Sequence, residues 1–278
     1  MKNNVLVSII IPTYNSEKHI EKCLISIKEQ SYKNIEIIVV DQESMDNTEK
    51  IANSFGVRVI RVRKPRFYSP PSKSRNIGAK KAKGEILYHL DSDMQLSKGL
   101  IKEAVGIFDR NKNIGALIVH EIDIANNFWA RCKALERRCY WGNDNIESAR
   151  IVRVAIFNKV NGYDEKLSSG EDFDTQRKYA KITKVDFCKN VTYHNLMSLT
   201  LMTSVVKKFN YGKTAGKYFK KHDENGLSLL LEECSAYVKN YKSLLSSPVL
   251  AIGMFFMKGL EFSAGGLGSI YSKVHRLQ

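Results

Sequence analysis

Hydrophobic and polar positions in the first 120 residues alternate between two periods. Apolar runs occur at Val5 to Ile11, Ile35 to Val40 and Ile114 to Val119, whereas Val57 to Val62 alternates around two arginines and Glu85 to Leu90 is mixed. Such runs are typical of strands in a parallel sheet that is covered on both faces. Helical patterns separate them, two with predicted N-caps at Ser16 and Asp46 and two more over Ser72 to Lys83 and Ser97 to Arg110. This alternation predicts an open, doubly wound, mostly parallel α/β sheet.

The later part of the chain is less regular. We expect a helix over Phe128 to Trp141, a strand over Arg150 to Asn158, a helix over Glu171 to Ala180 and one or two strands over Lys184 to His194. From about residue 196 onward only helical patterns continue, so we place a boundary near residue 200. The tail from 201 to 278 is predicted to be helical and basic.

Composition narrows the classes of protein. The 278 residues are 43% hydrophobic and 26% charged, which excludes a disordered chain, and 44 Lys and Arg against 29 Asp and Glu leave a net charge of +15. That excess indicates an anionic partner, whether nucleic acid, a phosphorylated small molecule or an anionic membrane. The five cysteines are widely spaced without a C-x-x-C pair, which favours a reduced, cytosolic setting. No apolar run reaches the roughly 20 residues that cross a bilayer, and the first run ends at Pro12, as a strand would.

Polar side chains follow three of the predicted strands. They are Thr13 and Tyr14 after Pro12, Asp41, and the triplet Asp91-Ser92-Asp93. The ligand crevice of a doubly wound sheet lies beyond the carboxyl ends of its strands, so we expect these groups to face it. Two carboxylates one residue apart repel each other unless a divalent cation such as Mg²⁺ or Mn²⁺ relieves the repulsion. The alternatives are a turn carboxylate at Asp41, a helix cap at Asp46 and a solvated acidic loop at Asp91 to Asp93.

Two further segments carry candidate chemistry. Arg75 lies near the start of a predicted helix, within a run from Arg61 to Lys83 that holds nine Lys or Arg residues and no acid. A helix N-terminus and a guanidinium both favour a pyrophosphate, although a solvated basic face has the same composition. Glu171 and Asp172 belong to an acidic cluster that could supply a general base or could simply begin a helix.

The tail carries a basic, aromatic stripe. Lys213, Lys217 and Lys221 repeat every four residues among aromatic side chains, a pattern suited to the headgroup layer of an anionic membrane. Pro248 to Met257 is apolar for about ten residues, too short to span a bilayer, and either lies at the interface or packs as a core helix. The glycines from Gly265 to Gly268 indicate a turn or a close approach of helices.

Taken in order, the motifs resemble those of the family 2 glycosyltransferases, which have the GT-A fold. The matching stretches run from residue 5 to about 195 and are Val7 to Asn15, Val39-Val40-Asp41 with Ser44 and Asp46, Arg75 to Ala79, Gly84-Glu85, Leu90 to Asp93, Asn161 to Glu165 and Gly170-Glu171-Asp172. The resemblance implies a GT-A catalytic domain over 1–200, with a nucleotide-sugar half at 1–95 and an acceptor half at 96–200. It also implies a membrane-associated, inverting, hexosyltransferase-type enzyme in glycan biosynthesis.

The resemblance assigns roles residue by residue. It implies nucleotide-sugar contacts from Pro12, Thr13, Tyr14, Asp41, Arg75, Asp91 and Ser92, with a UDP or GDP sugar as donor. It implies a Mn²⁺ or Mg²⁺ site at Asp93 and Asp91. Asp172 matches the base that deprotonates the acceptor hydroxyl, with Glu171 and Tyr163 on the acceptor side. His194 occupies a place where some relatives contact metal or diphosphate, although a structural histidine is the alternative.

Two departures from the family pattern leave other functions open. Gln42-Glu43 stand where the family often has Asp-Gly, which weakens any assignment of the donor base. Gln95 extends the acidic triplet as in polyprenyl-phosphate sugar synthases and would be a further metal ligand, but Leu96-Ser97-Lys98 replace the proline-rich continuation. We therefore expect a lipid-linked or membrane-associated glycan acceptor and a location on the cytoplasmic face of a membrane. A polyprenyl-phosphate sugar synthase, and a nucleic-acid- or glycan-binding protein without catalysis, are the alternatives.

Overall fold

A computed structural model describes residues 4–63, 71–143, 146–167, 169–222 and 226–275 of the chain. Its strands are β1 (Val7–Thr13), β2 (Ile35–Asp41), β3 (Arg58–Arg61), β4 (Ile86–His89), β5 (Met94–Leu96), β6 (Ile114–Ile118), β7 (Glu121–Ile124), β8 (Ile151–Arg153), β9 (Lys184–Phe187) and β10 (Thr192–Asn195). The predicted segment Arg61 to Lys83 lies partly outside the described residues.

The helices lie between these strands up to residue 182, and among the described residues only helices follow β10. They are α1 (Ile20–Lys28), α2 (Thr48–Ser54), α3 (Pro71–Lys81), α4 (Leu100–Arg110), α5 (Phe128–Arg138), α6 (Val154–Lys159), α7 (Glu171–Ile182), α8 (Leu201–His222), α9 (Gly226–Lys239), α10 (Tyr241–Leu245) and α11 (Pro248–Val274). The predicted helical tail is therefore present.

The main sheet has seven strands in the order β3-β2-β1-β4-β8-β6-β9. Strands β1 to β4 pair in parallel, as do β6 and β9, whereas β8 runs antiparallel to both of its neighbours. Every residue of β1 is buried, because helices cover both faces of the sheet. The predicted α/β architecture with a mostly parallel sheet is confirmed.

Contacts between Cα atoms divide the chain into two units. Unit 1 comprises residues 1–121, 148–165 and 174–194, and unit 2 comprises 122–147, 166–173 and 195–278. Unit 1 holds the seven-stranded sheet, whereas unit 2 holds α5, α8, α9, α10 and α11. The predicted boundary near 200 marks the start of the tail helices, and the contacts add two earlier segments to the tail's unit.

Close backbone packing determines where the first helices of unit 1 lie. A Cβ atom at Gly78 of α3 would come within 2.4 Å of a side-chain carbon of Ile10 in β1, so glycine lets this helix approach the sheet. At Gly84 the same atom would meet the backbone oxygen of Leu6 at 2.6 Å. These two glycines bring α3 and the start of β4 against β1, which places Arg75 beside the end of β4.

Two local predictions are corrected. The segment from 150 to 158 forms only the short strand β8 and then turns into α6, because its apolar residues Val154 and Phe157 have helical spacing and Phe157 is buried. Ser16 is not the N-cap of α1: that position is His19, and the Ser16 backbone carbonyl accepts the hydrogen bond from the Ile20 N–H. Asp46 does bond the first turn of α2, since its carboxylate accepts from the Thr48 N–H at 3.0 Å.

The apolar segment from Pro248 is longer than predicted. It continues through Lys258 as the single helix α11, which by length and composition alone could cross a membrane. Only 33% of its most apolar stretch is buried inside the protein. The prediction that this segment is too short to span a bilayer was wrong, because Gly and Ser residues extend the helix where the strongly apolar run stops.

Candidate active site

The loops that follow β1 and β2 are joined by hydrogen bonds. The Thr13 hydroxyl donates to the Asp41 carboxylate at 2.9 Å, and the Ser44 hydroxyl and N–H donate to the same carboxylate at 2.6 and 2.9 Å. Asp41 is almost fully buried. Three donors hold this buried carboxylate in one position at the carboxyl end of the sheet.

The loop after β4 is hydrogen-bonded to the loop that follows β1 and, through it, to the residues that follow β2. The Ser92 hydroxyl donates to the Ser16 hydroxyl at 2.9 Å, and the Ser16 N–H donates to the Thr48 hydroxyl at 2.7 Å. The ends of β1, β2 and β4 therefore meet in unit 1. The structure places the loops that carry Thr13, Asp41 and the Asp91 to Asp93 triplet at the same edge of the sheet.

Asp91 lies between two arginines. The Arg75 guanidinium, itself almost fully buried, donates to Asp91 at 2.7 Å, and Arg150 Nη1 lies 3.2 Å from the other carboxylate oxygen. Burial acts to raise the pKa of Asp91, but the charges of Arg150 and Arg75 and the bond from Arg75 hold it below its usual range. Asp91 is thus an ionised carboxylate already committed to two cations.

Asp93 has a different environment. Its side chain is 38% exposed, and one carboxylate oxygen lies 3.3 Å from Nε2 of His194 on β10. The other ring nitrogen of His194, Nδ1, lies 3.5 Å from Glu121. Asp93 and His194 face each other closely enough to share one ion, and Glu121 lies behind the imidazole.

These groups form one alternating series of charges within unit 1. Arg150 connects its two parts, because it lies 3.2 Å from Asp91 and its Nε lies 3.6 Å from Glu121. The series runs through Arg75, Asp91, Arg150, Glu121, His194 and Asp93. Each carboxylate is flanked by cationic or imidazole groups, so the exposed Asp93 stands at the end of a pre-organised network.

Arg75 packs against a buried aromatic side chain. Its guanidinium carbon lies 5.2 Å from the ring centroid of Tyr163, which is 3% exposed. Tyr163 also packs edge-on against His89 at 5.0 Å between centroids. The ring of Tyr163 lies in the core and contacts the arginine, after a turn at Asn161-Gly162 in which both residues have positive φ. Its acceptor-side role remains a prediction.

Sequence comparison now identifies the family. The profile described as glycosyl transferase family 2 matches residues 8–161, which is more than half of the chain. This chain belongs to glycosyl transferase family 2. An uncharacterized glycosyltransferase of Rickettsia prowazekii is 27% identical over 205 residues, covering 67% of this chain and 63% of the relative. The poly(ribitol-phosphate) beta-N-acetylglucosaminyltransferase TarS of Staphylococcus aureus is 35% identical over 203 residues, covering 67% of this chain and 35% of TarS.

Solved structures show the same fold. A crystal structure of an S. aureus TarS fragment in complex with UDP-GlcNAc superposes with a TM-score of 0.57 at 19% identity, covering 98% of this chain and 92% of that one. The mannosyltransferase PcManGT of Pyrobaculum calidifontis, in complex with GDP-Man and Mn²⁺, gives a TM-score of 0.65 at 15% identity and covers 97% and 88%. The chain spans less than two thirds of the length of the curated relatives named above.

The donor set of unit 1 suits the divalent ion that this family resemblance implies. The exposed carboxylate of Asp93 and the imidazole of His194 would supply one oxygen and one nitrogen ligand. Glu121 lies 3.5 Å from the second ring nitrogen, where it would orient the histidine or add a further oxygen ligand beside it. Asp91 is less suited to direct ligation, because Arg75 and Arg150 occupy its two oxygens.

The remaining predicted residues, Pro12, Tyr14, Gln95 and Ser92, lie in strands β1 and β5 and in the loops that follow β1 and β4. Pro12 is buried within β1 beside Val40 of β2, whereas Tyr14 in the following loop is 38% exposed. Gln95 pairs with Tyr193 across the antiparallel strands β5 and β10. Since His194 is one residue further along β10, Gln95 and His194 project to opposite faces and the structure does not bring them together. Ser92 contributes the link to Ser16.

The predicted acceptor residues Glu171 and Asp172 lie in unit 2. They form the first turn of α7, directly after Gly170, whose φ of +78° ends the preceding turn. Glu171 is buried and Asp172 is partly exposed. Their roles on the acceptor side remain predictions.

Sequence reasoning missed Arg150, Glu121 and His89. Arg150 precedes β8, and its carbonyl accepts a hydrogen bond from the His89 N–H at 2.9 Å, which brings residues from two distant segments together. Glu121 begins β7 within a segment where acidic and apolar residues alternate. That alternation predicts a half-exposed strand but gives no sign of which carboxylate turns toward the site.

Proposed function

We propose that this protein is a metal-dependent inverting glycosyltransferase. In this proposal it moves a sugar from a nucleoside-diphosphate sugar to a hydroxyl of a lipid-linked or membrane-associated glycan. The observation that carries the proposal is the meeting of Asp41, Asp91 and Asp93 at the ends of three neighbouring strands. The similarity to TarS, whose crystal structure contains UDP-GlcNAc, supports a nucleotide-sugar donor.

Each group of unit 1 has a place in this proposal. Thr13, Tyr14 and Asp41 bind the base and ribose, and Asp41 is already held by Thr13 and Ser44. In this proposal Arg75 and Arg150 neutralise charge on the diphosphate, and Asp91 fixes both guanidinium groups. Asp93 and His194 would hold Mn²⁺ or Mg²⁺, which when bound would neutralise charge on the diphosphate.

Asp172 acts as the general base in the proposed mechanism. Its carboxylate takes the proton of the acceptor hydroxyl as that oxygen forms a bond to the anomeric carbon. The bond from the anomeric carbon to the diphosphate oxygen breaks on the opposite side, and the nucleoside diphosphate leaves with those electrons. A single displacement of this kind inverts the anomeric configuration.

The proposed location is the cytoplasmic face of a membrane. Lys217 and Lys221 of α8 are exposed, as the predicted basic stripe requires, whereas Lys213 lies over the rings of Phe209 and Tyr271. All five cysteines are free in the described part of the chain, in keeping with a reduced compartment. Peripheral contact through the tail would bring the enzyme to a lipid-linked acceptor.

The donor and metal assignments are tested by nucleotide binding. We expect UDP, UDP-GlcNAc or GDP-mannose to raise the melting temperature of the wild-type protein, and Mn²⁺ to increase that shift. Asp93→Ala should keep its own melting temperature but lose the increase that Mn²⁺ adds, because a proposed ligand is gone. Asp109→Ala, which removes an exposed carboxylate on α4, is the matched control and should behave as wild type. If no nucleotide stabilises the protein, or if Asp93→Ala responds to Mn²⁺ as wild type does, the assignment is wrong.

The catalytic assignment is tested separately with Asp172→Asn. This change keeps the size of the side chain but removes the base, so the transfer rate should fall about 10²- to 10⁴-fold. The nucleotide-binding shift should persist, since donor binding is assigned to unit 1. Full transfer activity in Asp172→Asn would show that another group takes the proton, and a binding protein without catalysis would show donor binding but no transfer in either form.

A further inference from the structure

The outward face of α11 carries no charge. Every exposed residue of this helix from Pro248 to Ser272 is apolar, glycine, serine or tyrosine, in a chain that is 26% charged. The large exposed side chains are Val249, Ile252, Phe255, Phe256, Leu260, Phe262, Leu267, Ile270 and Tyr271. At 100° per residue these positions cover about half of the helix circumference, and at 1.5 Å per residue they form an apolar surface about 33 Å long. We call this surface the α11 apolar face.

The two charged residues of α11 that precede its last turn, Lys258 and Glu261, point the other way, into unit 2. Glu261 is 2% exposed and pairs with Lys133 of α5 at 2.8 Å. Lys258 is mostly buried and lies 2.9 Å from Glu136 of α5 and 2.7 Å from Glu233 of α9. Up to its last turn, this helix has the opposite pattern to a helix on a water-exposed surface, because Lys258 and Glu261 face the interior and the large apolar side chains face outward. Paired charges inside and an uncharged outer surface are typical of helices in contact with lipid.

The inner side of α11 packs closely against neighbouring helices of unit 2. A Cβ atom at Gly268 would lie 2.1 Å from the backbone oxygen of Phe209 in α8, and one at Gly212 would lie 2.0 Å from the oxygen of Gly265. Such backbone contact through small residues is typical of helix pairs in lipid. Because α8 and α5 cover the inner side, the side chains of the apolar face remain exposed, although three of them also contact rings of neighbouring helices. These three are Phe255, Phe256 and Tyr271, beside Tyr237, Trp129 and Phe209 respectively.

Cationic and aromatic side chains border the apolar face. The Lys213 ammonium lies 5.2 Å from the ring centroid of Tyr271, at the edge of the face, and Trp129 packs 6.2 Å from the ring of Phe256. Lys242 precedes the helix and Lys273 lies in its last turn, both exposed. Residues 201–278 contain 11 Lys and Arg against 5 Asp and Glu, a net charge of +6. Amphipathic aromatics and lysines are the residues that meet lipid headgroups.

We propose that the α11 apolar face docks on an anionic lipid bilayer, with the helix lying parallel to the membrane surface. A parallel orientation follows because only one half of the helix is apolar and uncovered, whereas a spanning helix would be surrounded by lipid or by other membrane helices. The docking extends the proposed function, on which it rests for its purpose, since it holds a glycosyltransferase beside a lipid-linked acceptor. In the docked state, acyl chains contact the α11 apolar face and anionic headgroups surround the bordering lysines.

Vesicle flotation tests the docking without any catalytic readout. The full chain is mixed with vesicles of phosphatidylcholine containing phosphatidylglycerol, at low and at high salt. We expect the wild type to float in both conditions, at least partly, because the apolar contact is not screened by salt. Ile252→Glu/Leu267→Glu places two charges on the apolar face at side chains that are 72% and 61% exposed, and should reduce the floated fraction at least tenfold.

Ile25→Glu is the matched control, because it places the same charge on an exposed isoleucine of α1 in unit 1 and should float as wild type. Circular dichroism and thermal melting establish that each variant is folded. A folded wild type that does not float, or a folded double variant that floats as well as wild type, overturns the proposal. A detergent-free dimer that the double variant dissociates would overturn it in favour of a second copy of this chain. Nucleotide binding is measured in parallel, so failure to float and failure of the glycosyltransferase assignment are separate results.

Discussion

His89 ends β4 as a fully buried imidazole beside the candidate site. Its ring packs against Phe157 and Tyr163 at 5.0 Å each, and neither ring nitrogen has a hydrogen-bond partner among the described residues. Burial lowers the pKa of His89 well below its usual value, and the charges of Arg75 and Arg150 lower it further. His89 is therefore neutral in the folded protein and adds no charge beside Arg75 and Arg150.

This burial predicts a loss of stability in mild acid. In the unfolded chain His89 takes up a proton below its ordinary pKa of 6.5, whereas the folded protein resists it, so the free energy of unfolding falls as the pH falls below 6.5. The loss due to His89 is up to about 2 kcal/mol between pH 6.5 and pH 5. Urea denaturation at pH 7, 6 and 5 measures it.

The effect of His89 is measured as the pH dependence of the free energy of unfolding. His89→Phe keeps an aromatic ring but cannot be protonated, so its free energy of unfolding should change less between pH 7 and pH 5 than that of the wild type. His120→Phe, which alters a partly exposed histidine stacked on Phe187, serves as the control. Equal pH slopes in the wild type and His89→Phe would show that His89 does not control this dependence.

At the scale of elements, glycine sets the separation of α8 and α11. Gly268 lies directly against the backbone of α8, whereas Gly266, two residues earlier on α11, is exposed with open space around its Cβ position. Glycine is therefore required for close helix packing at position 268, whereas at position 266 a larger side chain would meet no neighbour.

Alanine substitution separates these consequences. Gly268→Ala forces a methyl group against the Phe209 carbonyl, so the helices must separate and the free energy of unfolding should fall by about 1–3 kcal/mol. Gly266→Ala should raise it by about 0.5–1 kcal/mol, because alanine favours the helix and meets no neighbour. Thermal melting of both variants measures the difference, and a Gly268→Ala protein as stable as Gly266→Ala would contradict the close approach.

At the scale of the whole molecule, ion pairs join segments that are far apart in the chain. In unit 2, Lys258 lies between Glu136 and Glu233, and Lys133 lies between Glu136 and Glu261. These contacts hold α5, α9 and α11 in one arrangement. Unit 1 has its own series of charges from Arg75 to Asp93. The excess of positive charge in the chain is therefore not only a solvated surface, because several of its cations are buried.

Removal of one buried cation should destabilise unit 2. Lys258→Met leaves Glu136 and Glu233 without a shared cation, and the loss is expected to be about 3 kcal/mol. Lys112→Met removes a lysine from an exposed pair with Asp109 and should change stability by less than about 0.5 kcal/mol. Urea denaturation of the two variants makes the comparison. Equal stabilities would mean that solvent already compensates the Glu136 and Glu233 charges.

The positions of strands, helices and post-strand carboxylates could be predicted from the sequence, because these features depend on neighbouring residues. The period of apolar positions indicates the parallel strands, and the residues that follow these segments put Asp41, Asp91 and Asp93 at strand ends. The ordered motifs were specific enough to identify the family. The change from strand to helix within 150–158 was missed, because a short apolar segment suits both periods.

Only the tertiary structure shows how distant residues combine. Arg150 and Glu121 enter the site because β8 pairs with β4 and β6 and because β10 brings His194 beside Asp93, and neither pairing leaves a mark on the local pattern. The same holds for α11: its sequence is apolar, but which half faces outward depends on Lys258 and Glu261 finding partners on α5 and α9. Local patterns decide what each segment becomes, whereas contacts between remote segments decide which side chains are buried, paired or left exposed.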